Sequence, residues 1–157
     1  MNRILSLIGV VLVVGCSEPI PRNIDELMSQ GETLLDPETL EPYSGPVFGL
    51  FSGNPSRIQY RFNLKDGVEV GPYESYHDNG QLSEKGTMKD GEIDGPVENY
   101  HENSQLWSKG TMKDGELDGP YEDYYENGQL KSKGTFKDGE KCGEWIEGGG
   151  TVTYDPC

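Results

Sequence analysis

Residues 71–94 read GPYESYHDNGQLSEKGTMKDGEID, residues 95–118 GPVENYHENSQLWSKGTMKDGELD, and residues 119–142 GPYEDYYENGQLKSKGTFKDGEKC. One 24-residue unit written three times in succession is a repeat architecture, in which each unit buries its face only against its neighbours. A degenerate copy precedes the three over residues 45–70, with its own Asp66-Gly67, and a truncated one follows over residues 143–157.

Two turn signals divide the unit. Asn79-Gly80 and Asn127-Gly128 predict two-residue type I′ hairpins, which need positive φ at both central positions. Asp66-Gly67, Asp90-Gly91, Asp114-Gly115 and Asp138-Gly139 supply the second turn. No helical periodicity interrupts them. The expectation is an all-β, elongated antiparallel meander of β-hairpin repeats.

With Asn79-Gly80 at the tip, Tyr76 falls opposite Ser83, Glu74 opposite Lys85 and Tyr73 opposite Gly86. The same construction pairs Glu98 with Lys109 and Glu122 with Lys133. Opposite charges placed across a ladder contribute ~0.2–1 kcal/mol each, which supports the register. At the other turn Lys89 meets Glu92, Lys113 meets Glu116 and Lys137 meets Glu140. Two-residue alternation then puts Tyr73, Leu82, Gly86 and Met88, with their later copies Val97, Leu106, Gly110, Met112 and Tyr121, Leu130, Gly134, Phe136, on a packed face. The other face carries the Glu–Lys pairs, Thr87, Thr111 and Thr135, and Tyr76, Tyr100 and Tyr124.

The N-terminal residues read differently. Met1-Asn2-Arg3 and the apolar run Ile4–Val14 form a signal-peptide pattern over residues 1–15; eleven helical residues rise only ~16 Å, too little to span a bilayer. Val13-Val14-Gly15-Cys16 resembles the lipobox of bacterial lipoproteins, in which the cysteine (here Cys16) is acylated; an ordinary signal peptide with a nearby cysteine is the alternative. Ser17, after Cys16, resembles an outer-membrane sorting pattern. Residues 16–23 then serve as lipid anchor and tether. Residues 24–44 are an atypical capping segment, read as a short hairpin or a helix beginning at IDELMSQ, and residues 45–157 form the repeat domain.

The net charge of −15 becomes −16 once Arg3 is removed, with 12 basic against 28 acidic side chains. Such a chain repels nucleic acid and anionic headgroups and suits a basic protein partner, or simply stays soluble. With Cys16 lipidated, Cys142 and Cys157 remain to form a disulfide in an oxidising compartment.

The motif G-x-Y-x-x-Y-x-x-N-G-Q-L-x-x-K-G-x-x-K-D-G resembles the variant MORN repeat, as found in proteins of the YwqK antitoxin-like family. The resemblance implies elongated β-meander modules with protein-binding or membrane-proximal roles, and no chemistry.

Other constellations are weak. Residues 90–95 and 114–119 (DGEIDG and DGELDG) resemble half of a calcium loop, but its twelfth position is His101 or Tyr125 where a bidentate Glu belongs. His77 and His101 sit in equivalent places about 9.6 Å apart, too far to share a zinc ion. No nucleophile–base pair or phosphate loop is present, so no catalytic residue, metal, cofactor or small-molecule substrate is expected. The aromatics Tyr76, Tyr100, Trp107 and Tyr124 stand out as partner-binding candidates. Trp107 occupies the place of Ser83 and Lys131 in the other copies, and is expected across from Tyr100. The functional expectation is a lipid-anchored binding or scaffold module of the cell envelope, with an antitoxin- or immunity-like inhibitor of a basic toxin as the alternative.

Overall fold

The computed structural model describes residues 19–157. The signal-peptide pattern, Cys16 and the start of the tether lie outside the described residues. From Arg22 onward the chain consists of strands joined by turns, with one 3-10 turn. It begins with β1 (Arg22–Asn23), a 3-10 turn (Ile24–Glu26), β2 (Met28–Gln30) and β3 (Thr33–Leu35). The first long hairpin is β4 (Gly45–Phe51) and β5 (Asn54–Lys65). The second is β6 (Val68–Tyr76) and β7 (Leu82–Lys89), followed by the two-residue β8 (Glu92–Ile93). The third is β9 (Gly95–Tyr100) and β10 (Leu106–Lys113), with β11 (Glu116–Leu117) after it. The fourth is β12 (Gly119–Tyr124) and β13 (Leu130–Lys137), and the last β14 (Glu140–Glu147) and β15 (Gly150–Thr153).

From β4 onward the main strands lie in chain order, all antiparallel, in one 13-stranded sheet. Arg22 and Asn23, assigned to the tether by sequence, instead extend that sheet, pairing in parallel with Val47 and Phe48 at its edge. The β2–β3 hairpin forms a separate two-stranded sheet. It sits against the Asp66-Gly67 turn: the Leu34 N–H donates to Gly67 O (3.0 Å), and the Gly67 N–H donates to Tyr43 O (2.8 Å).

The Asp-Gly turns are the type I′ turns. Asp66, Asp90, Asp114 and Asp138 have φ of 52°, 53°, 47° and 48°, each followed by a positive-φ glycine. The later three turn glycines also reach the preceding repeat, Gly91 N–H donating to Glu69 O (3.1 Å), Gly115 N–H to Ile93 O (3.4 Å) and Gly139 N–H to Leu117 O (2.9 Å).

The Asn-Gly tips are not two-residue turns. His77 N–H donates to Gln81 O and Gly80 N–H to His77 O, both at 2.8 Å. Gly80 has φ 84°, whereas Asp78 and Asn79 keep negative φ. This is the three-residue hairpin, a type I turn closed by one left-handed residue. Ser104 takes that position in the second copy at φ 65° and keeps the same bonds, so the tip is strained there but not reshaped. A β-bulge follows, which corrects the register near the tip. Glu74↔Lys85 and Tyr73↔Gly86 pair as expected, but Ser75 faces Glu84 and Tyr76 faces Leu82, leaving Ser83 unpaired. Tyr100 faces Leu106 and Tyr124 faces Leu130 in the same way. Residues directly opposite share a face, so Leu82, Leu106 and Leu130 stand beside the tyrosines, not behind them; Leu130 is 42% exposed.

Packing is concentrated at the two ends. Val47, Phe62 and Leu64 form one core, covered by Ile24, Leu27, Leu34, Tyr43, Tyr60 and Tyr73. At the other end Trp145, 1% exposed, lies over Gly134 and meets Phe136 edge-on at 5.1 Å between ring centroids. Among apolar side chains the middle repeats bury little more than Met88 and Val97.

Candidate functional site

Several side chains that recur along the array join one repeat to the next. Lys85 Nζ lies 3.0 Å from Glu98 and Lys109 Nζ 2.8 Å from Glu122, each reaching across to the following hairpin; Arg61 binds Glu74 likewise at 2.5 Å. Of the ion pairs expected within a hairpin at these positions, Glu122–Lys133 closes at 2.9 Å. Near the Asp-Gly turns, Lys89 and Lys137 turn from Glu92 and Glu140 to Asp94 (3.7 Å) and Asp118 (2.7 Å), which ties up carboxylates of the calcium-like loops. Tyr76, Tyr100 and Tyr124 each donate their hydroxyl to the glutamate two residues earlier, Glu74, Glu98 and Glu122.

These tyrosines are half-buried members of the ladder, a correction to their expected exposure on an open aromatic face. Asn79 and Asn103 act at the tips. Their Oδ1 atoms accept from Gln81 and Gln105 N–H (2.9 Å each), and their Nδ2 groups donate to Glu102 and Glu126 O of the next tip (2.9 and 3.0 Å). His77 and His101 use Nε2 in the same way, toward Tyr100 O (2.8 Å) and Tyr124 O (3.2 Å).

The ladder sets protonation. Hydrogen bonds from Lys109, Tyr124 and Lys133 hold the Glu122 carboxyl at a pKa of about 2. Glu74 and Glu98 are lowered chiefly by Tyr76 and Tyr100. Burial, aided by the bond to Glu74, pushes the Tyr76 phenol up to about 12. A depressed carboxylate contributes stability that is complete above its ordinary value of 4.5 and is lost as pH falls toward 2. Urea midpoints should therefore drop across that window, and Glu122→Gln should flatten the drop by about 1–2 kcal/mol after solvent screening. An acid limb identical in the two proteins would refute the ladder's contribution.

Trp107 does not belong to the ladder. It is the extra residue of the third hairpin's bulge, between Leu106 (opposite Tyr100) and Ser108 (opposite Asn99), and so does not pair with Tyr100 as expected. Its indole is 48% exposed and lies 6.2 Å from the His101 ring. The corresponding residues face the packed side: Ser83 Oγ is 2.7 Å from Ser75 Oγ, and Lys131 Nζ 2.9 Å from Asp123. The candidate aromatics thus lie on two sides of the sheet. Sequence reasoning missed Asp123. It is 8% exposed and pairs through Oδ2 with Lys131, while its buried Oδ1 has no hydrogen-bond partner among the described residues.

Along the proline rows the sheet has shallow hollows of about 330, 260 and 270 Å³, each lined by ladder residues such as Arg61 and Glu74, Lys85 and Glu98, or Lys109 and Glu122. Among the described residues no group of three His, Cys, Asp or Glu is placed to hold a metal. Cys142 and Cys157 are joined, S–S 2.01 Å, with Cα atoms 5.0 Å apart.

The repeated sequence has a counterpart among known families. Residues 69–90, 93–114 and 117–138 match the MORN repeat variant. The three MORN matches are offset by two residues from the copies 71–94, 95–118 and 119–142 and fall on the central hairpins. MORN repeats are generally protein- or membrane-binding modules and not catalysts. Comparison with curated proteins gives no match.

Proposed function

We propose that the chain is a lipid-anchored, non-catalytic module that binds a protein partner in a bacterial cell envelope, at the outer membrane. The observation that carries this reading is the division of labour among side chains. The recurring Glu, Lys, Asn and His residues join repeat to repeat and the recurring tyrosines brace the glutamates, while Trp107, an aromatic unique to one copy, stands exposed. Interfaces draw their binding energy from a few such residues, Trp and Tyr foremost, inside a polar rim. The Val-Val-Gly-Cys16 pattern supplies the anchor and Ser17 the sorting signal.

Two measurements test this. Metabolic fatty-acid labelling should mark the wild-type chain and leave Cys16→Ser unlabelled as an unprocessed precursor; label retained in that variant rules out the anchor. Crosslinking in membranes should capture a protein partner with the full chain and recover less of it with Trp107→Ser. Equal recovery would move the docking surface elsewhere. The net charge of −15 favours a second reading, an inhibitor occupying a basic toxin. Rescue of growth on co-expression with such a toxin separates it from an envelope scaffold.

A further inference from the structure

We propose that Trp107 and Asp123 together form a receptor for one cationic side chain, an arginine or lysine of the protein partner. This rests on the reading of the chain as a protein-binding module and names the chemistry that the module recognises.

The register places the two residues at diagonal positions on adjacent strands. Ser108 faces Asp123 across β10 and β12, so the bulge carrying Trp107 lies one residue from Asp123 on the adjacent strand, where strands are ~4.8 Å apart. The bulge position faces the packed side in the first and third copies, where its side chain bonds Ser75 or Asp123. Asp123 lies on that side too.

Asp123 itself calls for a cation. The equivalent positions hold Ser75 and Asn99, neutral groups satisfied by Ser83 and Ser108. In the third copy a carboxylate is buried with one oxygen unpartnered. A buried polar atom without a partner is destabilising, and an incoming donor would relieve that cost. Lys131 holds only Oδ2, and its side chain is 48% exposed, so it can swing out when a planar guanidinium takes both oxygens at once.

The surroundings fit the same ligand. A tryptophan face attracts a cation within ~6 Å of its centroid, and His101 steadies that face from one side. Glu102 and Glu126 at the neighbouring tips are exposed and belong to no ion pair among the described residues. With 28 acidic against 13 basic residues, the whole chain draws a basic partner toward it.

The test uses the mature chain and a short arginine-containing peptide, with its citrulline counterpart as the uncharged control. Trp145 is buried, so the exposed Trp107 dominates any ligand-induced fluorescence change. The arginine peptide should give a saturable change and a calorimetric isotherm that the citrulline peptide lacks. Trp107→Ser and Asp123→Asn recreate the residues of Ser83 and Asn99, so both should keep the wild-type melting temperature within a few degrees. Each should weaken binding at least tenfold by calorimetry. Unchanged affinity in both variants, equal binding of the citrulline peptide, or a response that never saturates would overturn the receptor. Peptide binding is read without any membrane, so a failed membrane capture alongside intact peptide binding would count against the envelope partner and not against this site.

Discussion

Gly134→Ala should destabilise the domain by about 3 kcal/mol or more, while the same change at the equivalent Gly86 should be neutral or slightly stabilising. All three glycines of the series, Gly86, Gly110 and Gly134, have ordinary strand φ, so alanine tests space alone. At Gly86 an added Cβ would meet Ile93 at 3.5 Å and Val97 at 3.7 Å, which is ordinary contact. Alanine there also removes unfolded-state freedom, a gain of ~0.4–1 kcal/mol. At Gly110 it would approach Tyr121 at 3.0 Å and Leu117 at 3.1 Å, tight enough to cost about 1 kcal/mol as those side chains shift. At Gly134 it would fall within the indole of Trp145, on Cγ, Cδ2 and Cε2. The ring cannot stay, and losing a buried tryptophan from its seat costs ~3–5 kcal/mol. The Trp145 Nε1 bonds to Thr135 O and Cys142 O, both 3.1 Å, would go with it. Urea denaturation of the three variants should rank them 86, 110, 134. Three equal losses would mean that the glycines serve the backbone and not the aromatic cover.

That gradient shows how far the sequence could be read. The period, the places of the Asp-Gly turns and the pairing register from Glu74–Lys85 outward are set by nearest-neighbour chemistry, and residue counting finds them; the type I′ geometry, expected at Asn-Gly, falls at Asp-Gly instead. The bulge beside the Asn-Gly tip is not legible in the sequence, because Asn-Gly suits both the two-residue turn and the three-residue one. Ser104 held the clue: a type I′ turn needs two positive-φ residues, whereas the tip here needs one, which a serine can supply at some strain. Missing the bulge turned Trp107 and the leucines onto the wrong sides. Alternation also could not say which neighbour a lysine would choose. Lys85 lies between Glu74 and Glu98 on flanking strands, and Glu98, across the repeat boundary, takes it. Asp123 was overlooked because its position looked interchangeable, Ser75 and Asn99 being polar too.

Removing the Cys142–Cys157 bond should cost about 3 kcal/mol, the chain-entropy value for a 15-residue loop, and the loss should be local. The bond fixes the terminal segment over the last hairpin. Tyr154 N–H donates to Gly143 O (2.9 Å) and Gly143 N–H to Asp155 O (2.8 Å), while the Tyr154 ring packs edge-on against Trp145 at 6.2 Å. Beyond it β15 is exposed along its whole length and forms the free edge of the sheet. In an array whose units touch only their neighbours, such a loss spreads inward weakly. The double variant Cys142→Ala/Cys157→Ala should therefore melt at lower temperature and exchange amide protons faster in β14 and β15, with β4 and β5 unaltered. Alkylation of the oxidised repeat-containing chain should modify neither Cys142 nor Cys157 until reductant is added. Ready labelling of both would exclude the bond in solution. An unchanged melting temperature in the double variant would show that Tyr154 and Trp145 hold the end of the sheet without it.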